Sequence, residues 1–277
     1  MIYIDTDSCF VSLDALVQQV FGEDTDAHKI TNFIDKVCKQ KLEIIIEESF
    51  DRFKNYTNAY INQMKMKREN IANRAIFLAK KKYIMNVYDS EGFRYDNPKL
   101  YMKGIEAVRS STPNSCREKL KESLNIIMNK TNPELMSFIE DFREEFNNMD
   151  FVDIAFPRGC NNMAEYSCNT NIYRPKTPMQ VRGSLLYNKL VLDNKLKDKY
   201  PIIAEGDKIK FCYLRKPNPI RENIISVIDQ LPPEFNLHAY IDYNTQFDKA
   251  FLNPVKSICD AIGWKTEDIS TLEDFFE

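Results

Sequence analysis

The segment MIYIDTDSCF carries two carboxylates, Asp5 and Asp7, separated by Thr6. At i and i+2 of an extended segment two such groups point to one side, where their charges repel unless a cation lies between them. A divalent metal is the obvious counter-charge. Taken alone, an Asp-x-Asp pair is as a rule a surface turn. Here an apolar strand precedes the acids and CFVSL returns directly after them, so the pair should sit on a rigid hairpin tip beside a sheet. Rigid paired carboxylates suit Mg²⁺, which takes oxygen ligands and commonly shares them with substrate phosphates.

A second chemical element is AKKKYIMNVYD, where Lys80, Lys81 and Lys82 precede Tyr83 and Asp89. On a strand, Lys80 and Lys82 face one side and Lys81 the other. One face could follow nucleic-acid phosphates in a salt-dependent manner while Lys81 reaches into a site. The plainer reading is a charged sheet edge that discourages aggregation. From Ile61 to Ser90, seven basic residues stand against Glu69 and Asp89, a local surplus hidden in the overall net charge of −3.

Composition narrows the remaining chemistry. The 277 residues are 43% hydrophobic and 29% charged, enough for one large or two modest domains. Seven cysteines form no CxxC pair, and the two histidines, His28 and His238, are far apart. That pattern argues against a zinc site, a disulfide framework and histidine-based nucleophilic catalysis. Neither a membrane span nor a signal peptide is evident, so a cytoplasmic protein is expected.

The elements that must position these residues follow from periodicity. A loop is expected over VQQVFGEDTDAHK, then a long helix, or two joined at a bend, from ITNFIDKV to NAYI. Strands with a DSEG turn follow from RAIFLAKKKY to GIEAV. Ser and Thr in SSTPNS should cap an amphipathic helix, and NPELMSFIEDFREEF forms another. Further on, VRGSLLYNKLVLDNKL reads as a helix, GDKIKFCYLRKPNP and NIISVID as a strand pair, and DKAFLNPVKSICDAIGW as C-terminal helix. The fold class is therefore α+β, with a change of character near residue 113 giving expected domains of 1–113 and 114–277.

Several of these segments together resemble one family. YIDTDS resembles the YGDTDS signature, motif C, of family B DNA polymerases, and KKKY resembles their KKxY element. MKMKRENIA, AKKKYIMNVYDSEGFRY, SSTP, VRGSLLYNKLV and LRKPNP occur in the order and spacing of the palm and thumb of T-even-type phage replicative polymerases. The resemblance implies a partial palm, an antiparallel hairpin and strands with helices, followed by a mostly helical thumb. It implies that Asp7 is a principal metal ligand with Asp5 in the same site. Two Mg²⁺ ions would be shared with an aspartate of a partner chain and with substrate phosphates. Lys80, Lys81, Lys82 and Tyr83 would hold the primer-template duplex, Lys81 lying closest to the chemistry and Asp89 in the same strand region. Arg182, Lys189, Arg215 and Lys249 would be thumb contacts to DNA. The terminal STLEDFF resembles a clamp-binding tail, with Leu272, Phe275 and Phe276 as anchors for a sliding clamp.

Two departures qualify what is implied. Ile4 stands where motif C has glycine. A motif A aspartate, the fingers motif that grips the deoxynucleoside triphosphate, and an exonuclease domain are not found. The expectation is accordingly a C-terminal fragment of a split polymerase that works with an N-terminal fragment supplying motif A and fingers, with or without an exonuclease, in the cytoplasm of a phage-infected bacterial cell. The competing reading is a noncatalytic DNA-binding or clamp-tethering relic. An unrelated ion-binding turn would leave the order of the other segments unexplained.

Overall fold

The computed structural model describes residues 2–22, 25–168 and 171–267. The chain is α+β, and it divides after Gly104 into two compact units. In the first, β1 (Tyr3–Asp5) and β2 (Ser8–Phe10) form an antiparallel hairpin closed by the Asp5–Ser8 pair. Next comes α1 (Asp14–Val20), where a loop was expected. Leu13, Leu16, Val17 and Val20 recur at helical spacing there, and the helix stops just before Gly22.

Helix α2 (Ala27–Val37) starts where the Asp26 side chain accepts the Lys29 backbone N–H at 3.2 Å. It runs through a π-helical turn at Cys38–Leu42 into α3 (Glu43–Tyr56), so the expected long helix is continuous with a local widening. Strands β3 (Asn70–Ala79), β4 (Lys82–Ser90) and β5 (Phe93–Lys103) then make a three-stranded antiparallel sheet in the order β3-β4-β5. Glu91 and Gly92, both at positive φ, form the turn between β4 and β5, which is the geometry two-residue hairpins require.

The second unit opens with α4 (Asn114–Asn129) and α5 (Asn132–Asn147). The expected Ser/Thr cap of α4 is absent. Pro113 occupies the cap position, and the Thr112 hydroxyl donates instead to the Glu106 carbonyl at 3.0 Å. At α5 a capping box forms, the Glu134 carboxylate accepting the Thr131 N–H at 3.0 Å. Short α6 (Phe151–Ile154), β6 (Phe156–Gly159) and α7 (Met163–Tyr166) lead to α8 (Met179–Asp193). Strands β7 (Lys208–Tyr213) and β8 (Ile224–Val227) complete a second three-stranded antiparallel sheet, β6-β7-β8. The chain continues through α9 (Tyr243–Phe247) and α10 (Asn253–Ile262), joined by a π-helical turn.

The second unit's core is a cluster of fully buried rings, Phe142, Phe146, Phe247 and Phe251, next to Leu120, Leu124 and Ile139. Helix α8 lies directly on β8. A β-carbon at Gly183 would come within 2.3 Å of the Ser226 hydroxyl, so no larger residue permits that approach.

Candidate functional site

The hairpin β1–β2 positions the two acids through simple alternation. Ile2 and Ile4 face outward, 57% and 59% exposed, while Tyr3 and Asp5 face the larger sheet. The Tyr3 and Phe10 rings pack against Phe77 and Tyr83, with centroids 5.2 to 6.3 Å apart. The Tyr3 hydroxyl also accepts the Lys81 backbone N–H at 2.8 Å. This pins the hairpin to the β3–β4 connection, and with it Asp5.

Asp5 and Asp7 do not share one extended face. Asp5 ends β1 and is 6% exposed, whereas Asp7 lies exposed in the Thr6–Asp7 turn. Thr6 adopts φ 54°, and its hydroxyl donates to Asp5 Oδ1 at 3.3 Å. The Ser8 hydroxyl donates to the Asp5 carbonyl at 3.1 Å. Ile4 lies in regular strand paired with Cys9, so its backbone needs no glycine and its side chain points away from Asp5.

The three lysines also differ from the strand expectation. Ala79 pairs with Lys82, and Lys80 with Lys81 forms the turn between β3 and β4, Lys81 at φ 60°. Strand alternation therefore does not apply to Lys80 and Lys81, which project from a loop tip. Lys81 Nζ comes within 3.8 Å of Asp5 Oδ1. Tyr83 lies beneath the turn, 5% exposed and stacked on Tyr101. Burial is the main reason its hydroxyl pKa is raised, with Tyr101 and Asp5 adding to it.

A residue that sequence reasoning missed completes the cluster. Lys103, the last residue of β5, pairs with Tyr83, places Nζ 3.4 Å from Asp5 Oδ2, and stands 5.8 Å over the Tyr83 ring. Its pKa is raised, by Tyr83 first and by the hydrogen bond to Asp5 next. Gly104, at φ 69°, allows the close approach that fixes this corner. A β-carbon there would sit 2.4 Å from the Lys81 carbonyl oxygen.

Asp89 lies elsewhere in the unit and has no exposed surface. Its carboxylate is ion-paired with Arg68, receives Arg94 Nε at 2.8 Å and accepts the Gly92 N–H at 2.9 Å. Both arginines reach on to Asp35 of α2, at 2.6 and 3.4 Å. Burial pushes the Asp35 carboxyl up, but hydrogen bonds from Lys39 and Arg68 outweigh it and hold its pKa below the ordinary value. The network ties α2 to β4 and β5 and takes Arg68 out of the basic surplus. An open cleft of about 540 Å³ lined by Lys39, Lys65, Lys67 and Arg68 with acidic neighbours does not include Asp5 or Asp7.

In the second unit Arg182 and Lys249 converge on Tyr213. Lys249 Nζ stands 5.3 Å over its ring. Arg182 donates to Asn223 and lies over Tyr173. Arg158, not anticipated from sequence, adds its field to that of Arg182 at the Tyr213 hydroxyl, opposing the upward push of burial on its pKa. Burial lowers the pKa of Arg158 itself, and Arg109 lowers it further. Arg215 is exposed and donates to the Ala239 carbonyl at 2.7 Å, and Lys189 is exposed on α8. Leu272, Phe275 and Phe276 lie outside the described residues.

No protein-family model matches the chain. Along its whole length it is similar to phage DNA-directed DNA polymerases, which bears out the resemblance read from its motifs. The DNA-directed DNA polymerase of Escherichia phage RB69 is 31% identical over 292 aligned positions, covering 100% of this chain and 32% of that protein. The enzyme of Enterobacteria phage T4 is 29% identical over 288 positions, covering 98% of this chain and 31% of that protein. The chain thus spans about a third of the length of the curated relatives it matches.

Proposed function

We propose that the chain is the C-terminal palm and thumb portion of a phage replicative DNA-directed DNA polymerase, contributing motif C, the duplex grip and a clamp-binding tail. One observation carries the reading: a buried Asp5, an exposed Asp7 and the turn lysine Lys81 gather at a hairpin anchored to the sheet. Asp5 and Asp7 offer oxygen donors only, which fits Mg²⁺. Among the described residues no group of three or more acidic, histidine or cysteine side chains could hold a metal ion. The likeness of YIDTDS to motif C supports Asp7 as principal ligand, with Asp5 in the same site. The remaining ligands come from a motif A aspartate in the rest of the polymerase and from substrate phosphates.

With two bound Mg²⁺ ions, such a site activates a primer 3′ hydroxyl toward the α-phosphate of a deoxynucleoside triphosphate and stabilises departing pyrophosphate. The chain's own residues orient that chemistry. Lys80, Lys81 and Lys82 neutralise primer-template phosphates at the turn, Tyr83 supports the turn from below, and Asp89 holds the sheet and α2 together. Arg158, Arg182 and Lys249 form a separate phosphate-binding surface around Tyr213, with Lys189 and Arg215 as further contacts. The outward face of the hairpin, with Ile2, Ile4 and Val11, docks against the fingers- and motif A-bearing remainder of the polymerase, which also carries any exonuclease.

The test is primer extension by this chain together with a polymerase fragment that carries motif A and fingers. Asp7→Ala should reduce extension by roughly a thousandfold, the rate equivalent of several kcal/mol of lost metal-centred stabilisation. A stable complex that never extends, with DNA binding indifferent to Asp7, would assign the chain to the noncatalytic reading instead. Removal of residues 270–277 should lower processivity only when a sliding clamp is present.

A further inference from the structure

Both oxygens of the Asp5 carboxylate already face a cation. Lys81 Nζ is 3.8 Å from Oδ1 and Lys103 Nζ is 3.4 Å from Oδ2, while the Thr6 hydroxyl also donates to Oδ1. Two ammonium groups facing Asp5 offset the negative charge that would draw a divalent ion to it. The two lysines differ from Asp5 in exposure: their side chains are 57% and 46% accessible, that of Asp5 only 7%. The carboxylate is fixed, and the cations that cover it can leave.

We propose that Lys103, acting with Lys81, masks Asp5 from divalent metal until phosphates of a bound duplex draw the two ammonium groups away. This rests on the assignment of Asp5 as a metal ligand. The physical step is an exchange of partners with no covalent change: each lysine trades a carboxylate for a phosphate, and Asp5 trades lysine for metal. Lys103 suits the role because its backbone is locked. Gly104 seats the end of β5 against the Lys81 carbonyl, and the pairing with Tyr83 sets the register. Its long side chain keeps the freedom to swing. Metal loading of this carboxylate is thereby coupled to occupancy by DNA, so the site does not hold a metal idle.

The experiment measures Mn²⁺ binding to the full chain by the loss of the free-ion electron paramagnetic resonance signal, without any extension assay. Lys103→Met, which keeps the length and removes the charge, should bind Mn²⁺ about fivefold more tightly than the parent, the scale of one exposed ion pair. Lys103→Arg should match the parent, and adding Asp5→Asn to Lys103→Met should abolish the gain. A short primer-template should raise Mn²⁺ bound to the parent beyond that bound with the Asp5→Asn variant. Unchanged affinity in Lys103→Met, equal tightening in Lys103→Arg, or an equal DNA-induced gain in parent and Asp5→Asn would overturn the proposal. An inactive polymerase assembly would leave this measurement standing, and an unmoved Mn²⁺ affinity would leave the polymerase reading standing.

Discussion

Up to Gly104, Ile84 is the only apolar side chain among the described residues with less than 2% of its surface exposed, whereas beyond it Phe142, Phe146, Phe247, Phe251 and many aliphatic neighbours reach that level. The exposed large apolar side chains show the reverse. All those described, except Met179 and Leu192, precede Gly104. Helix α3 has no buried residue at all, and Ile45, Phe53 and Tyr56 lie exposed along it. The second unit holds itself together by close packing of rings, which is insensitive to charge. Lacking such a core, the first unit relies on an aromatic patch under the hairpin and on a buried Arg–Asp network. It also leaves apolar surface uncovered.

The contrast is tested most severely by one substitution in each unit. Asp89→Ala leaves the nearly buried Arg68 and the partly exposed Arg94 with Asp35 as their one remaining carboxylate in the network, and should cost the first unit about 3 kcal/mol, the lower end of the range for breaking a buried pair. Phe142→Ala opens a cavity among rings and should cost the second unit about 3–5 kcal/mol. Hydrogen exchange resolved by peptide separates them. Each substitution should release protection in its own unit, and salt should change the first loss more than the second. A uniform loss across the chain in either variant would show that the two units unfold as one.

This difference in physics also explains how far the sequence could be read. Helices α4, α5, α8 and α10 announce themselves because their apolar spacing is the packing that stabilises them. The hairpin acids were legible from strand–turn–strand patterning around Asp5 and Asp7, and KKKY from its charge. Lys103 was not, and the reason is a register shift. Counted outward from the Glu91–Gly92 turn, β5 places Leu100 opposite Tyr83. The observed ladder passes from Asp89–Arg94 to Val87–Lys99, so extra residues ending at Pro98 bulge from β5 and bring Lys103 opposite Tyr83 instead. The Lys80–Lys81 turn was missed for a related cause. Lysine has no preference for φ > 0, and that conformation is imposed by the pairing of Ala79 with Lys82 and by the Tyr3 hydroxyl. Arg158 became visible only when β6 brought it near Tyr213 from a distant part of the chain.

A smaller change sharpens the picture of the first unit's corner. Gly104→Ala adds a β-carbon 2.4 Å from the Lys81 carbonyl at a residue with φ 69°. Backbone strain of this kind costs about 1–3 kcal/mol. Relief requires moving either the end of β5 or the lysine turn, and both carry a partner of Asp5. Exchange protection should therefore fall at Lys81 and along β1 while α2 and the Asp89 network keep theirs. Loss spread evenly through the unit would mean that the corner and the network are one cooperative element.

The smallest effect expected is on acid stability, and its sign follows from Asp35. A carboxylate whose folded pKa lies below its unfolded value contributes stability above the unfolded pKa and loses it as pH falls through the folded one. Asp35 is lowered from 3.8, so its contribution is complete near neutrality and fades below pH 3.8. Protonation there removes the negative charge that, with Asp89, balances Arg68 and Arg94, and two guanidinium groups then face a single buried carboxylate. In the second unit Glu234, whose pKa is lowered to about 2 chiefly by Lys199, is an exposed group with no role in the ring core. Acidification should therefore loosen α2 and the β4–β5 turn while the peptides of α4 and α5 stay protected. Asp35→Asn should abolish this difference in pH response by leaving the network already weakened at neutral pH. If α4 and α5 open first, electrostatics matter more to the second unit than its ring packing implies.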